Sequence, residues 1–354
     1  MQNKTFKRGL GLSLILVFLL SGCSNNDSAN ESAANAYPFS YSDTTMGTSF
    51  SIKVSQLPTG VRPKKVKIAI REKLEQINQQ MSTYITDSEL SRINSSTDMT
   101  SRFISEGLYK VVETAQEINH LSEGAYDITV GSLVNLWGFG PSKALSHTPK
   151  DEDIQKLLAD VGSDKIVLTA RLHTLSKTRP NLYMDLSSLA KGYAVDEIAA
   201  ILDALKITHY MVEIGGELNI KGKNKQGKNW RIGVEAPNAK KRELLRVLPI
   251  SDIAMATSGD YRNYFEQDGQ RFSHTIDPRT GYPITHKLVS VTVLGDTTMK
   301  ADAWATALMV LGPEKGYQIA EQQKLAVLFI SKMGAGFLEQ ETPLFTEYTK
   351  RKGQ

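Results

Sequence analysis

The stretch NLYMDLSSLAKGYAVDEIAAILDALK, residues 181–206, decides the fold. Its first residues read as a strand, Ser187 and Ser188 mark a turn, and a helix follows from about residue 188 to 206. Two further strand patterns come at once, HYMVEIGGELNIKG (209–222) and NWRIGVEAP (229–237), with a bend at Gly215-Gly216. Strand, helix and then several strands in succession is not the regular alternation of a doubly wound sheet. The expectation is an α+β fold with mixed or antiparallel sheets and flanking helices.

The flanking chain supports that reading. On the N-terminal side a strand is expected at 49–54, then a helix over 65–80 from the spacing of Val66, Ala69, Ile70, Leu74, Ile77 and Met81. Ser88 is placed to cap a short turn, and a second helix runs from Ser105 to Leu121 and stops by Gly124. Residues 141–150 read as a polar loop, 151–160 as a short helix and 165–175 as strands. On the C-terminal side, 243–256 and 261–265 are expected to continue the sheet, with Asp268-Gly269 as a hairpin turn. LVSVTVLG (288–295) is a strand, ADAWATALMVLG (301–312) a helix, KLAVLFI (324–330) a strand and AGFLEQ (335–340) a last one.

The N-terminus is of a different kind. Lys4, Lys7 and Arg8 precede the apolar run of residues 9–20, which is short for a bilayer-spanning helix and suited to a signal segment. It ends in Leu20-Ser21-Gly22-Cys23, which resembles a bacterial lipobox, so Cys23 is the expected lipidation site and residues 1–22 the removed signal peptide. Cys23 is the only cysteine among 354 residues, which excludes an intrachain disulfide and any multi-cysteine metal site. From Cys23 to residue 40 the chain is small and polar, the composition of a flexible tether, and 41–350 is the expected functional domain. Cleavage removes three of the 42 basic residues and none of the 38 acidic ones, so the excess of +4 falls to +1. A protein so close to neutral is not built to neutralise a run of phosphates, and nucleic acid is not an expected partner.

Four groups of residues can carry chemistry. Asp185–Gly192 (DLSSLAKG) sits at a strand-to-helix junction, where free amides, Lys191 and Gly192 suit an anion. It is neither a P-loop nor a dinucleotide fingerprint, and alone it is equally an ordinary helix with a surface lysine. In ADAWATA (301–307), Asp302 and Thr306 share one helix face and offer hard oxygen ligands of the kind Mg²⁺ accepts, though Asp-x-x-x-Thr is common. SHTIDPRTGYP (273–283) gathers His274 and other polar residues into a stiff loop. TMGT (45–48), MSTY (81–84), GAYDIT (124–129) and WGFG (137–140) set aromatic and thioether groups beside glycines, as a planar ring system needs and as an ordinary core also does.

Taken in this order, with SELSRIN (88–94), GAYDITVGSLVNLWGFGP (124–141) and EIGGEL (213–218), these stretches resemble the ApbE family, the FAD:protein FMN transferases, over roughly residues 41–340. The resemblance implies a T-fold-like α+β architecture and Mg²⁺-dependent transfer of FMN from FAD to a Ser or Thr hydroxyl of a target flavoprotein, with AMP released. It implies acceptors among membrane redox-pump subunits of the NADH:quinone reductase or Rnf type. Matched position by position, Met46, Tyr84, Ala125, Tyr126, Asp127, Asp185, Lys191 and Ile276 would contact FAD. Asp302 and Thr306 would supply side-chain oxygens to Mg²⁺, joined by the Ser188 carbonyl, where the family often has Gly-Ala in place of Ser187-Ser188. His274 is the candidate base or acceptor-positioning group, with Asp302 as the other catalytic residue. The implied site is the periplasmic face of the inner membrane, although Ser24 after the lipidated cysteine leans toward the outer membrane. The rivals are an FAD-hydrolysing pyrophosphatase with water as acceptor, and a flavin-binding lipoprotein without turnover.

Overall fold

Met46 and Gly47 turn the chain through a two-residue hairpin with both φ angles positive, 51° and 72°, the backbone that matches the twist of the flanking strands. They join β1 (Phe39–Thr45) to β2 (Thr48–Val54). The computed structural model describes residues 37–141, 148–237, 243–260, 264–267, 270–334 and 336–351. The signal segment, Cys23, most of the tether, much of the polar loop at 141–150 and the Asp268-Gly269 turn lie outside these residues. Since β1 starts at Phe39, the last two residues read as tether belong to the sheet.

After β2 come α1 (Pro63–Met81), α2 (Glu89–Ser95), β3 (Arg102–Phe103), α3 (Glu106–Leu121), α4 (Gly131–Leu136), α5 (Asp151–Leu158), β4 (Ile166–Thr169), β5 (Thr174–Lys177) and α6 (Ala190–Ala204). Then follow β6 (Tyr210–Ile214), β7 (Glu217–Lys221), β8 (Trp230–Glu235), β9 (Leu244–Ile250), β10 (Ile253–Gly259), β11 (Tyr264–Gln267), β12 (Gln270–Ser273) and β13 (Leu288–Gly295). The chain closes with α7 (Thr298–Gln322), β14 (Ala326–Met333), β15 (Gly336–Glu341) and α8 (Pro343–Arg351). Ser88 and Ser105 cap α2 and α3 by accepting the amides of Ser91 and Leu108, and Pro63 opens α1 where its missing amide costs nothing.

Eight strands form one sheet in the order β1-β2-β6-β7-β10-β13-β14-β15, each pairing antiparallel. Side chains alternate across it. Val212, Ile214, Val291, Val293 and Phe329 face a core shared with α1, α3, α6 and α7. Leu218, Ile220, Met255, Leu294 and Leu328 face a second core closed by Trp230, Leu248 and Phe345. Covered on both faces, β13 is buried along nearly its whole length, which is why LVSVTVLG carries no charge and only Ser290 and Thr292 as polar side chains. A third, smaller core joins Leu133 and Trp137 to Ile154 and Ile276, with Phe265 and Phe272 against it.

The α+β expectation is correct, with four differences of detail. Residues 181–184 form no strand beyond a single bridge from Tyr183 to Val130. Met184 is held by a side chain instead: Asn94 accepts from its amide and donates to its carbonyl, both at 2.8 Å. The second pairing, β8 with β9, is a separate ribbon over the sheet and not part of it. Likewise β11 and β12 pair only with each other. Finally, the helix expected to end at Gly312 breaks there (φ 78°) but resumes from Pro313 to Gln322.

Candidate functional site

Helices α6 and α7 cross where neither has a side chain in the way. A Cβ built on Gly192 would lie 2.5 Å from the Thr298 carbonyl oxygen and 2.8 Å from Met299 Cα. The freedom read at Gly192 is therefore used for helix packing, not for a ligand. Asp196 of α6 then caps α7, accepting the amides of Thr298 at 2.8 Å and Met299 at 2.9 Å. One turn further along α7, Asp302 faces back and accepts the Gly192 amide on Oδ2 at 3.1 Å.

That bond has a consequence for Ser188. A continuing helix would give the Gly192 amide to the Ser188 carbonyl; Asp302 takes it instead. Both Asp302 and Ser188 line a cleft of about 430 Å³, together with Thr306. Among the described residues Asp302 Oδ1 accepts no hydrogen bond, and the Thr306 hydroxyl meets only Ser258 Oγ, at 3.2 Å. One carboxylate, one hydroxyl and one carbonyl are hard oxygen donors, and they fit Mg²⁺ with waters and a phosphate completing its shell. No group of three His, Cys, Asp or Glu side chains gathers among the described residues.

The same cleft is lined by Tyr84, Ala125, Tyr126, Asp127, Asp185, Lys191, His274 and Ile276. A neighbouring cavity of about 680 Å³ shares Tyr84, Asp185, Ser187 and Lys191 with it and adds Met46, Met81 and Ala190. Every site residue expected within the described part of the chain thus lies on one two-chambered hollow. Met46 stands there in the left-handed backbone region that only its hairpin turn explains.

Their roles differ in what is left to offer. The Asp127 carboxylate is spent on its own loop: Oδ1 accepts from the Thr129 amide and hydroxyl at 2.8 and 2.6 Å, and Oδ2 from the Ser163 amide at 2.8 Å. Asp185 holds the serine turn through the Ser187 amide at 2.8 Å. Tyr126 is buried and shares a 2.9 Å hydrogen bond with Ser188 Oγ, and burial pushes its phenol well above the usual range. His274 stands edge-on to Phe139, ring centroids 6.2 Å apart, on the cleft wall. Trp137 is core: it is buried, donates to the Gly281 carbonyl at 2.9 Å and stacks on Phe272.

Glu217 is the residue sequence reasoning missed. It lines the cleft at the start of β7, is 3% exposed, and binds Lys191 Nζ through Oε1 at 2.8 Å. Asp302 Oδ2 lies 3.6 Å from the same ammonium. Burial raises both carboxyls, Glu217 to about 8. Burial opposes the Lys191 charge too, but Asp302 and Glu217 outweigh it and hold the ammonium above its ordinary range. A Glu opening a strand after two glycines carries no sign of a lysine 26 positions earlier, and only its inward position on an apolar strand hints at a task.

Comparison with known proteins places the whole arrangement. The ApbE family model matches residues 46–329. The chain is 44% identical over 340 residues to the FAD:protein FMN transferase of Vibrio cholerae serotype O1 (strain ATCC 39541 / Classical Ogawa 395 / O395), covering 96% of this chain and 98% of the relative. It is 40% identical over 306 residues to that of Escherichia coli (strain K12), covering 86% and 87%. Among solved structures, the flavin transferase ApbE from Vibrio cholerae superposes with a TM-score of 0.81 at 45% identity, over 87% of this chain and 98% of that one. The apo form of the Pseudomonas stutzeri flavinyl transferase ApbE gives 0.80 at 36% identity, over 88% and 96%. With the family's stretches lying on one cleft in the family's fold, the chain belongs to the ApbE family.

Proposed function

We infer that this cleft moves FMN from FAD onto a Ser or Thr hydroxyl of a partner protein, with Mg²⁺ held by Asp302, Thr306 and the Ser188 carbonyl. The chain is an FAD:protein FMN transferase, as its family and relatives indicate. The observation that carries the metal reading is the diverted Gly192 amide, which leaves the Ser188 carbonyl and Asp302 Oδ1 open on one wall. When bound, Mg²⁺ neutralises the diphosphate and stabilises charge as the phosphoryl bond changes partners.

The chain's own groups do the rest. Lys191 brings a positive charge to the phosphate end, and the Met46–Tyr84 chamber takes an aromatic ring system. The acceptor's hydroxyl oxygen bonds to the FMN phosphorus, the bond from that phosphorus to the AMP oxygen breaks, and AMP leaves with the electron pair. The hydroxyl proton goes to a base on the cleft wall, for which His274 is placed. The acceptor is a membrane redox-pump subunit, and the enzyme meets it from a lipid on Cys23 at the periplasmic face of the inner membrane.

The test is to incubate the full chain with FAD, Mg²⁺ and a candidate acceptor. Covalent flavin on the acceptor with one AMP per label is the expected result. FMN and AMP formed equally fast with the acceptor unlabelled would make the protein a pyrophosphatase. For the anchor, Cys23→Ser is expected to move the protein from membrane to soluble fractions; unchanged membrane recovery overturns it.

A further inference from the structure

We propose that Glu217 is a positioning residue that holds the Lys191 ammonium off Asp302 and so keeps Asp302 open to a divalent cation. The proposal rests on the metal reading above. Lys191 has two carboxylates to choose from and is not centred between them: it contacts Glu217 at 2.8 Å and stays 3.6 Å from Asp302. At the shorter distance the contact is a charge-assisted hydrogen bond; at the longer one it is only proximity. Glu217 can hold it there because it has nothing else to do. Its other oxygen, Oε2, is buried without a partner in the structure.

The geometry around the lysine enforces the choice. Its stem runs past Gly215, where a Cβ would come within 3.3 Å of both Lys191 Cδ and Glu217 Oε2. A side chain at that bend would press on the pair, and the glycine leaves them room. Asp302 is meanwhile held by the Gly192 amide and cannot swing to meet the lysine. Without Glu217, Asp302 is the remaining carboxylate within the ammonium's reach, and the lysine would close on it. A cation would then compete with a fixed ammonium for one carboxylate, in a partly desolvated setting where that attraction is strong. With Glu217 present, the lysine's charge stays beside the phosphate end of the cleft while the cation keeps its ligand.

The test is Mn²⁺ binding by the full chain without nucleotide, read as loss of the free-ion electron paramagnetic resonance signal. It compares Glu217→Gln, Glu217→Asp, Lys191→Met and the Glu217→Gln/Lys191→Met double variant, with thermal unfolding to confirm folding. Glu217→Gln is expected to weaken Mn²⁺ binding about tenfold, within the range of coupling between contacting residues. Glu217→Asp keeps the carboxyl but loses the reach, and is expected to weaken binding as well. In the Lys191→Met background the Glu217→Gln change is expected to matter less than about twofold, since no lysine is left to hold. Unweakened binding in Glu217→Gln, wild-type affinity in Glu217→Asp, or a double variant as weak as Glu217→Gln alone would each overturn the proposal. Mn²⁺ binding by the unaltered chain that Asp302→Ala leaves intact fails differently: it removes the metal reading itself, and the proposal with it.

Discussion

Lys177 and Lys191 both turn their heads inward, and they do so for opposite reasons. Lys177 is 3% exposed, and its Nζ donates to the carbonyls of Ile93 at 3.0 Å, Ser96 at 2.6 Å and Pro180 at 3.1 Å. Burial pushes its pKa down; its partners are neutral dipoles that bind it into the backbone. Lys191 meets two carboxylates instead, so its cluster carries one negative charge in excess when all three groups are ionised. A lysine satisfied by carbonyls closes a structure. A lysine beside two acidic groups leaves a polar cluster on the cleft wall.

Four changes break or sharpen that contrast. Asp302→Ala removes the ligand on which the cation reading depends and little packing; flavin transfer at limiting Mg²⁺ should fall by about a thousandfold or more, with unfolding little changed. Transfer at the original rate would remove Asp302 from the metal site. Lys177→Met should act on stability, costing about 3 kcal/mol in denaturant unfolding because buried carbonyls lose their donor. An unchanged unfolding midpoint would mean those carbonyls find water.

Lys191→Ala should act mainly on cofactor use, raising the FAD concentration needed for half-maximal rate about tenfold, with a loss of about 1–2 kcal/mol in unfolding because two buried carboxyls lose their partner. The smallest effect concerns pH. Burial raises the Glu217 carboxyl from 4.5 to about 8, so between those values the folded chain holds a proton that the unfolded chain has released. The stability this supplies is complete below the unfolded value and is lost as pH rises through about 8; Asp302, also raised by burial, acts in the same direction. The metal-free protein should therefore melt a degree or two lower at about pH 9 than at about pH 6, and Glu217→Gln should flatten that slope. A steeper slope in Glu217→Gln would assign the proton elsewhere.

Much of the molecule is readable in local pattern. The spacing of Val66, Ile70, Leu74 and Ile77 yields α1 with those residues buried, Ser88 caps where its sequence position says, and the helix expected from Ser105 starts right after it. Residues 181–184 look like a strand because Leu182 and Met184 alternate, and both are indeed buried. The partner that a strand needs is replaced by the side-chain amide of Asn94 on Met184 and the ammonium of Lys177, 3.5 Å from the Leu182 carbonyl, which no local pattern announces. Trp137 suited a ligand or a core by sequence, and it is core, because its indole donates to a buried carbonyl at Gly281.

The division between the two levels follows from range. Residue type and spacing act over one turn or one strand pair, so they settle most of the helices and strands, and that Asp302 and Thr306 share a face. Whether Asp302 is free to hold a cation depends on the Gly192 amide and the Lys191 ammonium, and where Lys191 sits depends on Glu217. These are contacts between segments tens of residues apart, made possible by the close crossing of α6 and α7. Only the folded chain brings those charges within hydrogen-bonding distance, where a difference of less than an ångström decides which carboxylate the lysine takes.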